Sequence, residues 1–295
     1  MKCRSSQIII SAVIVVNLAL AITSTASAQD RVPLTVAVVC MNAQTDTAAN
    51  LKRFASYMKE AVANGAHLVV FPEIALQQNP GWGTAEYRPT EEESAYVRNT
   101  AEQIPGDSTQ WLVQKARELE VYIVFGMTEI GKDGNLYNAS VFLGPKGILG
   151  VHRKHRLWDK ATGGNEHLCW ETGLKPGKVV DSPIGKVGLM ICIEMGFWFG
   201  PALRKDNAEL LVTVSAWPDS AGKKYEQVTK QNASKAGCWH IVANQVGIVG
   251  HANDYGHSRI IDPNGNVLAD TGSNEGMVIE KTTLMIDPTV VLRRP

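Results

Sequence analysis

Short apolar runs alternate with amphipathic stretches along most of the chain. Residues 34–40 and 67–71 are almost continuously apolar and rich in β-branched side chains, which is typical of strands buried on both faces. Between these runs, apolar residues recur at helical spacing over residues 51–62, and Asp46 or Thr47 can cap that helix. The pattern therefore predicts a buried strand, a helix and a second buried strand.

The same alternation continues to about residue 270. Further strands are predicted at residues 121–125, 140–143, 148–151, 186–191, 210–214, 239–243, 258–261 and 267–269, and further helices at residues 108–119 and 224–235. Turn residues at 144–147 and 263–266 join two pairs of these strands. Since no repeat or linker interrupts the alternation, we expect one α/β domain with sheets covered by helices.

One long polar stretch, residues 77–103, departs from this alternation. It contains the sequence Asn-Pro-Gly-Trp-Gly at 79–83 and three consecutive glutamates at 91–93. We expect it to be the least structured part of the domain and to cover part of an active-site mouth.

The first 28 residues have the pattern of a secretory signal peptide. Lys2 and Arg4 precede an apolar run over residues 8–22, and small residues at 26–28 form a cleavage pattern. The run is shorter than the ~20 residues that a membrane-spanning helix needs. We expect cleavage after Ala28, a secreted or periplasmic protein without stable membrane insertion, and a mature domain over residues 29–295; an uncleaved anchor is the alternative.

Charge and motif content exclude several classes of protein. The chain has 29 basic and 29 acidic residues without a basic run, so we expect no nucleic-acid partner. It has no HExxH, P-loop or GxGxxG motif, so neither a metal nor a nucleotide cofactor is expected. The mature chain has too few cysteines for a disulfide scaffold, but one bridge among Cys40, Cys169 and Cys238 stays open.

Three reactive side chains follow buried strands. Glu73, Lys154 and Cys192 each come directly after an apolar segment, and strand ends in α/β sheets are where active sites collect. A carboxylate, an ammonium and a thiol could together form a covalent hydrolase. Taken singly, a cysteine that ends a strand is more often a core-packing residue, and a glutamate or lysine after a strand is usually a solvated loop residue.

The segments that contain these residues resemble the signature blocks of the nitrilase superfamily of carbon-nitrogen hydrolases. The three blocks are Leu68-Val-Val-Phe-Pro-Glu73, His152-Arg-Lys154 and Ser182-Pro-Ile-Gly-Lys-Val-Gly-Leu-Met-Ile-Cys192. Further matches in the family's order lie at residues 102–106, 126–129, 136–139, 214–217, 243–247 and 256–258. The resemblance spans about residues 34–275, which is nearly all of the mature domain.

This resemblance implies a four-layer αββα sandwich and a Glu-Lys-Cys triad. Cys192 would be the nucleophile, Glu73 the proton shuttle, and Lys154 the cation beside the oxyanion, with the backbone N–H of Ile193 as second donor. The expected reaction is cleavage of a small amide or N-carbamoyl compound through a thioester, without a cofactor, by a homodimer or larger homo-oligomer. A nitrilase and a non-catalytic binding protein on the same scaffold are the alternatives.

Family members carry a second glutamate between the lysine and cysteine blocks, and this chain offers two candidates. Glu166 lies 26 positions before Cys192 and opens a Glu-x-x-x-aromatic pattern, whereas Glu171 lies 21 positions before it. We favour Glu166, whose role would be to orient Lys154 and to tune Glu73.

The chain also departs from the family at several positions near the nucleophile. Glu194 keeps an acidic place, but Gly196 stands where many relatives have an arginine. A pocket that relies on this arginine for a substrate carboxylate is therefore in doubt. Residues 232–235 read Asn-Ala-Ser-Lys where relatives often have Arg-Ala-x-Glu. Trp198 and Trp217 are candidate walls of the substrate pocket.

Overall fold

The computed structural model describes residues 31–287, which belong to one compact unit. The predicted signal peptide over residues 1–28 lies outside the described residues. Within 31–287, no helix is both long and apolar enough to cross a bilayer.

The described residues form fourteen strands and five α-helices. The strands are β1 (Val32–Cys40), β2 (Leu68–Val70), β3 (Tyr122–Ile130), β4 (Leu136–Gly144), β5 (Gly147–Arg153), β6 (Lys178–Ser182), β7 (Gly185–Ile191), β8 (Leu210–Ser215), β9 (Trp239–Asn244), β10 (Val246–Val249), β11 (Ala252–Tyr255), β12 (Arg259–Ile261), β13 (Val267–Asp270) and β14 (Gly276–Ile286). The helices are α1 (Thr47–Ala63), α2 (Glu91–Thr100), α3 (Asp107–Leu119), α4 (Phe199–Lys205) and α5 (Gly222–Ala236).

Most strands belong to two six-stranded sheets. The first sheet has the order β14-β1-β2-β3-β4-β5, the second has the order β13-β12-β9-β8-β7-β6, and β10 pairs with β11 as a separate ribbon. In each sheet three central strands are parallel, β1-β2-β3 in the first and β7-β8-β9 in the second. The outer strands pair antiparallel.

The two sheets pack face to face, and helices cover their outer faces. In β1, Val36 and Val38 belong to the core between the sheets, while Ala37 and Val39 pack in the core under α1 and α3. Helices α4 and α5 contribute to the core on the other side of the second sheet. Because successive residues of a strand point to opposite faces, burial on both faces explains the continuous apolar runs. The predicted αββα sandwich is confirmed.

The predicted first helix also forms as expected. Asp46 caps α1, and its side chain accepts a hydrogen bond from the Ala49 amide at 3.0 Å. Phe54 of α1 stacks on Phe71, with ring centroids 4.0 Å apart. This aromatic pair fixes α1 against the sheet just before the segment that carries Glu73.

The polar stretch over residues 77–103 is more ordered than its sequence suggests. It contains α2, whose start is a capping box: the Glu93 amide donates to the Thr90 hydroxyl, and the Thr90 amide donates to the Glu93 carboxylate. Among the residues of α2 only Val97 is buried. The stretch was predicted to be the least structured part of the domain, and α2 was not expected in it, because local capping stabilises a helix that has almost no hydrophobic periodicity.

Candidate active site

Three strand ends bring the predicted reactive groups to one point between the sheets. Glu73 follows β2, Lys154 follows β5 and Cys192 follows β7. All three residues are buried, and the Lys154 ammonium donates to Oε1 of Glu73 at 2.7 Å. The Cys192 thiol lies close enough to both charges for each to shift its pKa.

Both oxygens of Glu73 are held by neighbouring donors. Oε1 accepts a second hydrogen bond from Asn138 Nδ2 at 2.7 Å, and Oε2 accepts one from the Ala216 amide at 2.8 Å. Gln245 Nε2 donates to the Glu73 carbonyl at 2.8 Å. Asn138 and Gln245 lie in segments that match the family, but their side chains were not predicted as part of the site.

Lys154 lies between two buried carboxylates. Its ammonium donates to Glu166 Oε1 at 2.6 Å as well as to Glu73, and Glu166 Oε2 accepts the Trp158 amide at 2.6 Å. Burial favours the neutral amine, but the charges of Glu166 and Glu73 outweigh it and raise the pKa of Lys154. Burial raises the pKa of Glu166 to about 7, against the opposing effect of Lys154. Lys154 therefore remains a cation despite having no exposed surface.

Of the two glutamates considered for the second acidic position, the structure brings Glu166 to Lys154. Glu166 has no exposed surface. Glu171 is exposed, and its backbone amide donates to Leu136 O. Glu166 is thus the one that contacts the ammonium.

Cys192 begins a six-residue 3-10 helix, Cys192–Phe197, with φ at +48°. Such left-handed geometry costs a non-glycine residue about 1–3 kcal/mol, so the surrounding structure must hold it. Burial and the Glu73 charge raise the thiol's pKa well above its ordinary value, while Lys154 and the Ala216 amide act in the opposite direction. The resting sulfur is accordingly a thiol, and it shares the Ala216 amide with the Glu73 carboxylate.

A cavity of about 400 Å³ opens beside Cys192. Ile193 lines it and is the second residue of the 3-10 helix, where backbone N–H groups have no partner within the helix. The aromatic walls are Trp158, Phe197 and Trp217. Among the described residues that line the cavity, Lys224 alone is charged.

A second, larger groove lies elsewhere. It has a volume of about 950 Å³ and follows the edges of β5 and β6, where Arg153 and Leu174 line it. It contains none of the three reactive residues. We therefore assign the substrate to the smaller cavity at the thiol.

Trp198 is not among the residues that line the substrate cavity. It adopts a left-handed conformation at the end of the 3-10 helix, and its ring lies 3.6 Å below the Lys235 ammonium. The structure thus places Trp158 and Phe197, with Trp217, where sequence reasoning expected Trp198 and Trp217. Neighbouring positions in a turn point in different directions, which spacing along the chain does not reveal.

The polar stretch over residues 77–103 does not line this cavity either. It packs instead behind the loop that carries Glu166. The Asn165 side chain donates to Gly81 O and accepts from the Gly83 amide, and Trp82 meets Trp158 edge to face at 6.1 Å. This stretch supports one cavity wall from outside.

The structure shows the surroundings of two positions, Gly196 and Asn232, at which the chain departs from the family pattern. Gly196 lines the cavity, and a Cβ added there would meet no atom within 4 Å. Asn232 is fully buried: its Nδ2 donates to Met195 O at 2.8 Å, and its Oδ1 accepts from the Gly200 amide at 3.2 Å. Where relatives often have an arginine, this neutral side chain ties α5 to the 3-10 helix of the nucleophile.

The described cysteines are all unbridged. Cys40, Cys169, Cys192 and Cys238 are free thiols, so the disulfide left open by the sequence does not form among them. Within residues 31–287, no cluster of three His, Cys, Asp or Glu side chains could hold a metal ion.

Comparison with known proteins places this chain in a family. The family model described as carbon-nitrogen hydrolase matches residues 35–284. The chain belongs to the carbon-nitrogen hydrolase family, within the nitrilase superfamily. It is an enzyme of the amidase and nitrilase type, and the alternative of a non-catalytic binding protein is not retained.

Individual relatives agree with this assignment. The chain is 32% identical to the omega-amidase NIT2 of Danio rerio over 257 residues, covering 82% of this chain and 86% of the relative. Nit3 of Saccharomyces cerevisiae, a member of branch 10 of the nitrilase superfamily, has the same fold (TM-score 0.71, 22% identity, 88% and 91% coverage). So does a mutant amidase from Nesterenkonia sp. AN1 (TM-score 0.73, 18% identity, 88% and 93% coverage), which carries the acetamide moiety of fluoroacetamide covalently at its active-site cysteine.

The contact between Glu166 and Lys154 makes a direct prediction. Glu166→Gln removes one of the two carboxylates on the ammonium, so kcat should fall about 10–100-fold because the ammonium is no longer held in one position. Glu171→Gln is the matched control and should leave kcat unchanged, since Glu171 is exposed. Ammonia release from an amide substrate measures both. Equal activities of the two variants would contradict the role given to Glu166.

Proposed function

We propose that this enzyme hydrolyses small non-peptide amides through a thioester on Cys192. The observation that carries the proposal is the buried contact of Glu73 with Lys154 next to a thiol at the base of an open cavity. These groups supply a base, a cation and a nucleophile.

Acylation begins from the neutral thiol. Because burial and Glu73 keep the Cys192 thiol protonated, its proton must leave as the sulfur attacks the amide carbonyl. Glu73 accepts that proton and then passes it to the leaving nitrogen, so ammonia or an amine departs and a thioester remains. Asn138 and the Ala216 amide hold the Glu73 carboxylate in place during both transfers.

The negative charge on the tetrahedral oxygen needs fixed donors. Lys154 provides a positive charge that its two carboxylate partners maintain, and the Ile193 N–H provides a dipole on the cavity side. One such donor typically contributes about 2.7–4 kcal/mol to transition-state stabilisation. A water molecule then attacks the thioester, with Glu73 as its base, and releases the carboxylic acid and the thiol.

Amides are the favoured substrate class. Several curated relatives, at 30–32% identity, are named omega-amidases, and another, at 28% identity, is named a deaminated glutathione amidase. An N-carbamoyl compound presents the same carbonyl and nitrogen to the thiol. The nitrilase alternative requires attack on a C≡N carbon, and no relative named above supports it.

A substrate panel tests the proposed reaction. Purified protein should release ammonia from short primary amides, more slowly from ureido acids, and not from nitriles. Cys192→Ala should abolish turnover, whereas Cys238→Ala, which removes another buried free thiol, should retain it. No hydrolysis of any compound in the panel, or turnover that survives in Cys192→Ala, would refute the mechanism.

We further propose that the preferred amides carry a carboxylate at their other end. Lys224 is exposed and is the one charged residue among those described that line the cavity, whose other walls are mainly aromatic and aliphatic, so it would attract a carboxylate on the substrate. The first turn of α5, which holds Lys224, contains no acidic residue to neutralise it. Lys224 would thus supply the positive charge that many relatives have as an arginine at the position of Gly196.

Exchange of this lysine should change substrate preference. We expect Lys224→Met to lower kcat/KM for an acidic amide such as succinamate about threefold, or about 0.7 kcal/mol, with little change for butyramide. Lys223→Met is the matched control, because both lysines are exposed but Lys223 does not line the cavity. Equal losses for the acidic and the neutral amide would argue against this role of Lys224.

We propose export for the full chain on the pattern of residues 1–28 alone. Amino-terminal sequencing of the protein from the producing cell should begin at Gln29; a start at Met1 would contradict export with cleavage. The homo-oligomer implied by the family resemblance stays a prediction.

A further inference from the structure

A buried glutamate outside the proposed catalytic group links the two segments that carry Lys154 and Cys192. Glu194 lies two residues after the nucleophile and has no exposed surface. Its Oε2 accepts the Ile191 amide at 2.7 Å and lies 2.8 Å from His152 Nε2. Its Oε1 accepts the His155 amide at 2.7 Å and the Arg156 amide at 3.3 Å. One carboxylate is thus in contact with three backbone amides and one imidazole nitrogen.

These partners belong to two separate segments of the site. Ile191 immediately precedes Cys192 at the end of β7. His152 and His155 flank Lys154 at the end of β5, which belongs to the other sheet. Glu194 therefore joins the backbone around the nucleophile to the backbone around the lysine. It also closes the turn in which Cys192 adopts its left-handed conformation.

We propose that Glu194 is a positioning residue that sets the distance between the Cys192 thiol and the Lys154 ammonium. The proposal rests on the function proposed above for those two residues. Glu194 touches neither the substrate cavity nor the reacting atoms in the structure. It acts by holding the two strand ends in one relative placement, and a displacement of about 1 Å at such a site can cost about 100-fold in rate.

The arrangement requires a carboxylate. Its hydrogen bonds and the neighbouring His152 keep the pKa of Glu194 below its ordinary value in spite of burial. A glutamine at this position has one oxygen and one NH₂ group. If the NH₂ replaces Oε1, it faces the amides of His155 and Arg156; if it replaces Oε2, it faces the amide of Ile191. In either orientation one of the two segments loses its hydrogen bonds to this side chain.

The test compares two buried glutamates attached to the same part of β5. Glu194→Gln should lower kcat about 10–100-fold and change KM less than about threefold. Glu129→Gln is the matched control. Glu129 is buried and accepts two 2.7 Å hydrogen bonds from Arg153, the residue before Lys154, but has no contact with the nucleophile segment. Glu129→Gln should keep kcat within about twofold of the wild type. Its thermal stability should fall about as much as that of Glu194→Gln.

A second readout does not depend on turnover. The rate of Cys192 alkylation by iodoacetamide, followed by mass spectrometry of the peptide that contains it, should fall about tenfold in Glu194→Gln and stay unchanged in Glu129→Gln. If the wild-type protein hydrolyses no amide, this rate still tests the placement of the thiol. Failure of the proposed function and failure of this proposal are thus distinguishable.

One further variant covers the case in which Glu194→Gln does not fold. His152→Gln removes only the imidazole beside Oε2 and keeps the three backbone donors, the amides of Ile191, His155 and Arg156. It should lower kcat and the alkylation rate in the same direction, by about three- to tenfold. The proposal is overturned if Glu194→Gln retains wild-type kcat and alkylation rate, if Glu129→Gln loses as much of both, or if a folded His152→Gln matches the wild type when Glu194→Gln cannot be obtained.

Discussion

The site depends on a single buried ammonium that must stay charged. Moving such an ion out of water costs several kcal/mol, and this cost is offset only by well-placed opposite charges and hydrogen bonds. Lys154 has two carboxylate partners within 2.7 Å, and each of these is itself held by backbone or amide donors. Charge pairing of this kind requires strand ends that are fixed relative to one another.

The αββα sandwich meets that requirement. Glu73 and Lys154 leave the first sheet, whereas Cys192 and Ala216 leave the second. The apolar core between the sheets fixes these four positions, and Glu194 adds a polar link between the lysine and cysteine segments. Burial that keeps water away from the site also raises the pKa of the thiol. The proposed mechanism therefore needs a base beside the sulfur, and the Ala216 amide holds the Glu73 carboxylate in place.

Much of the fold could be predicted from the chain alone. Continuous apolar runs identified β1, β2, β7, β8 and β9, because strands covered on both faces have no polar side. Helix α2 was not predicted, since its stability comes from the capping pair Thr90 and Glu93 rather than from a buried face. Strand β14 lies after residue 270, where the predicted alternation ends, although it pairs along nearly the whole of β1.

For the site, local sequence determined which residues carry reactive groups: Glu73, Lys154 and Cys192 were identified from strand ends and family blocks. Only the tertiary structure decided which side chains meet them. It brought Glu166 rather than Glu171 to the lysine, placed Trp158 in the cavity wall and Trp198 outside it, and joined Glu194 to a strand 42 positions away. The physical reason is that hydrogen bonds and burial depend on distances in space, which spacing along a chain does not fix.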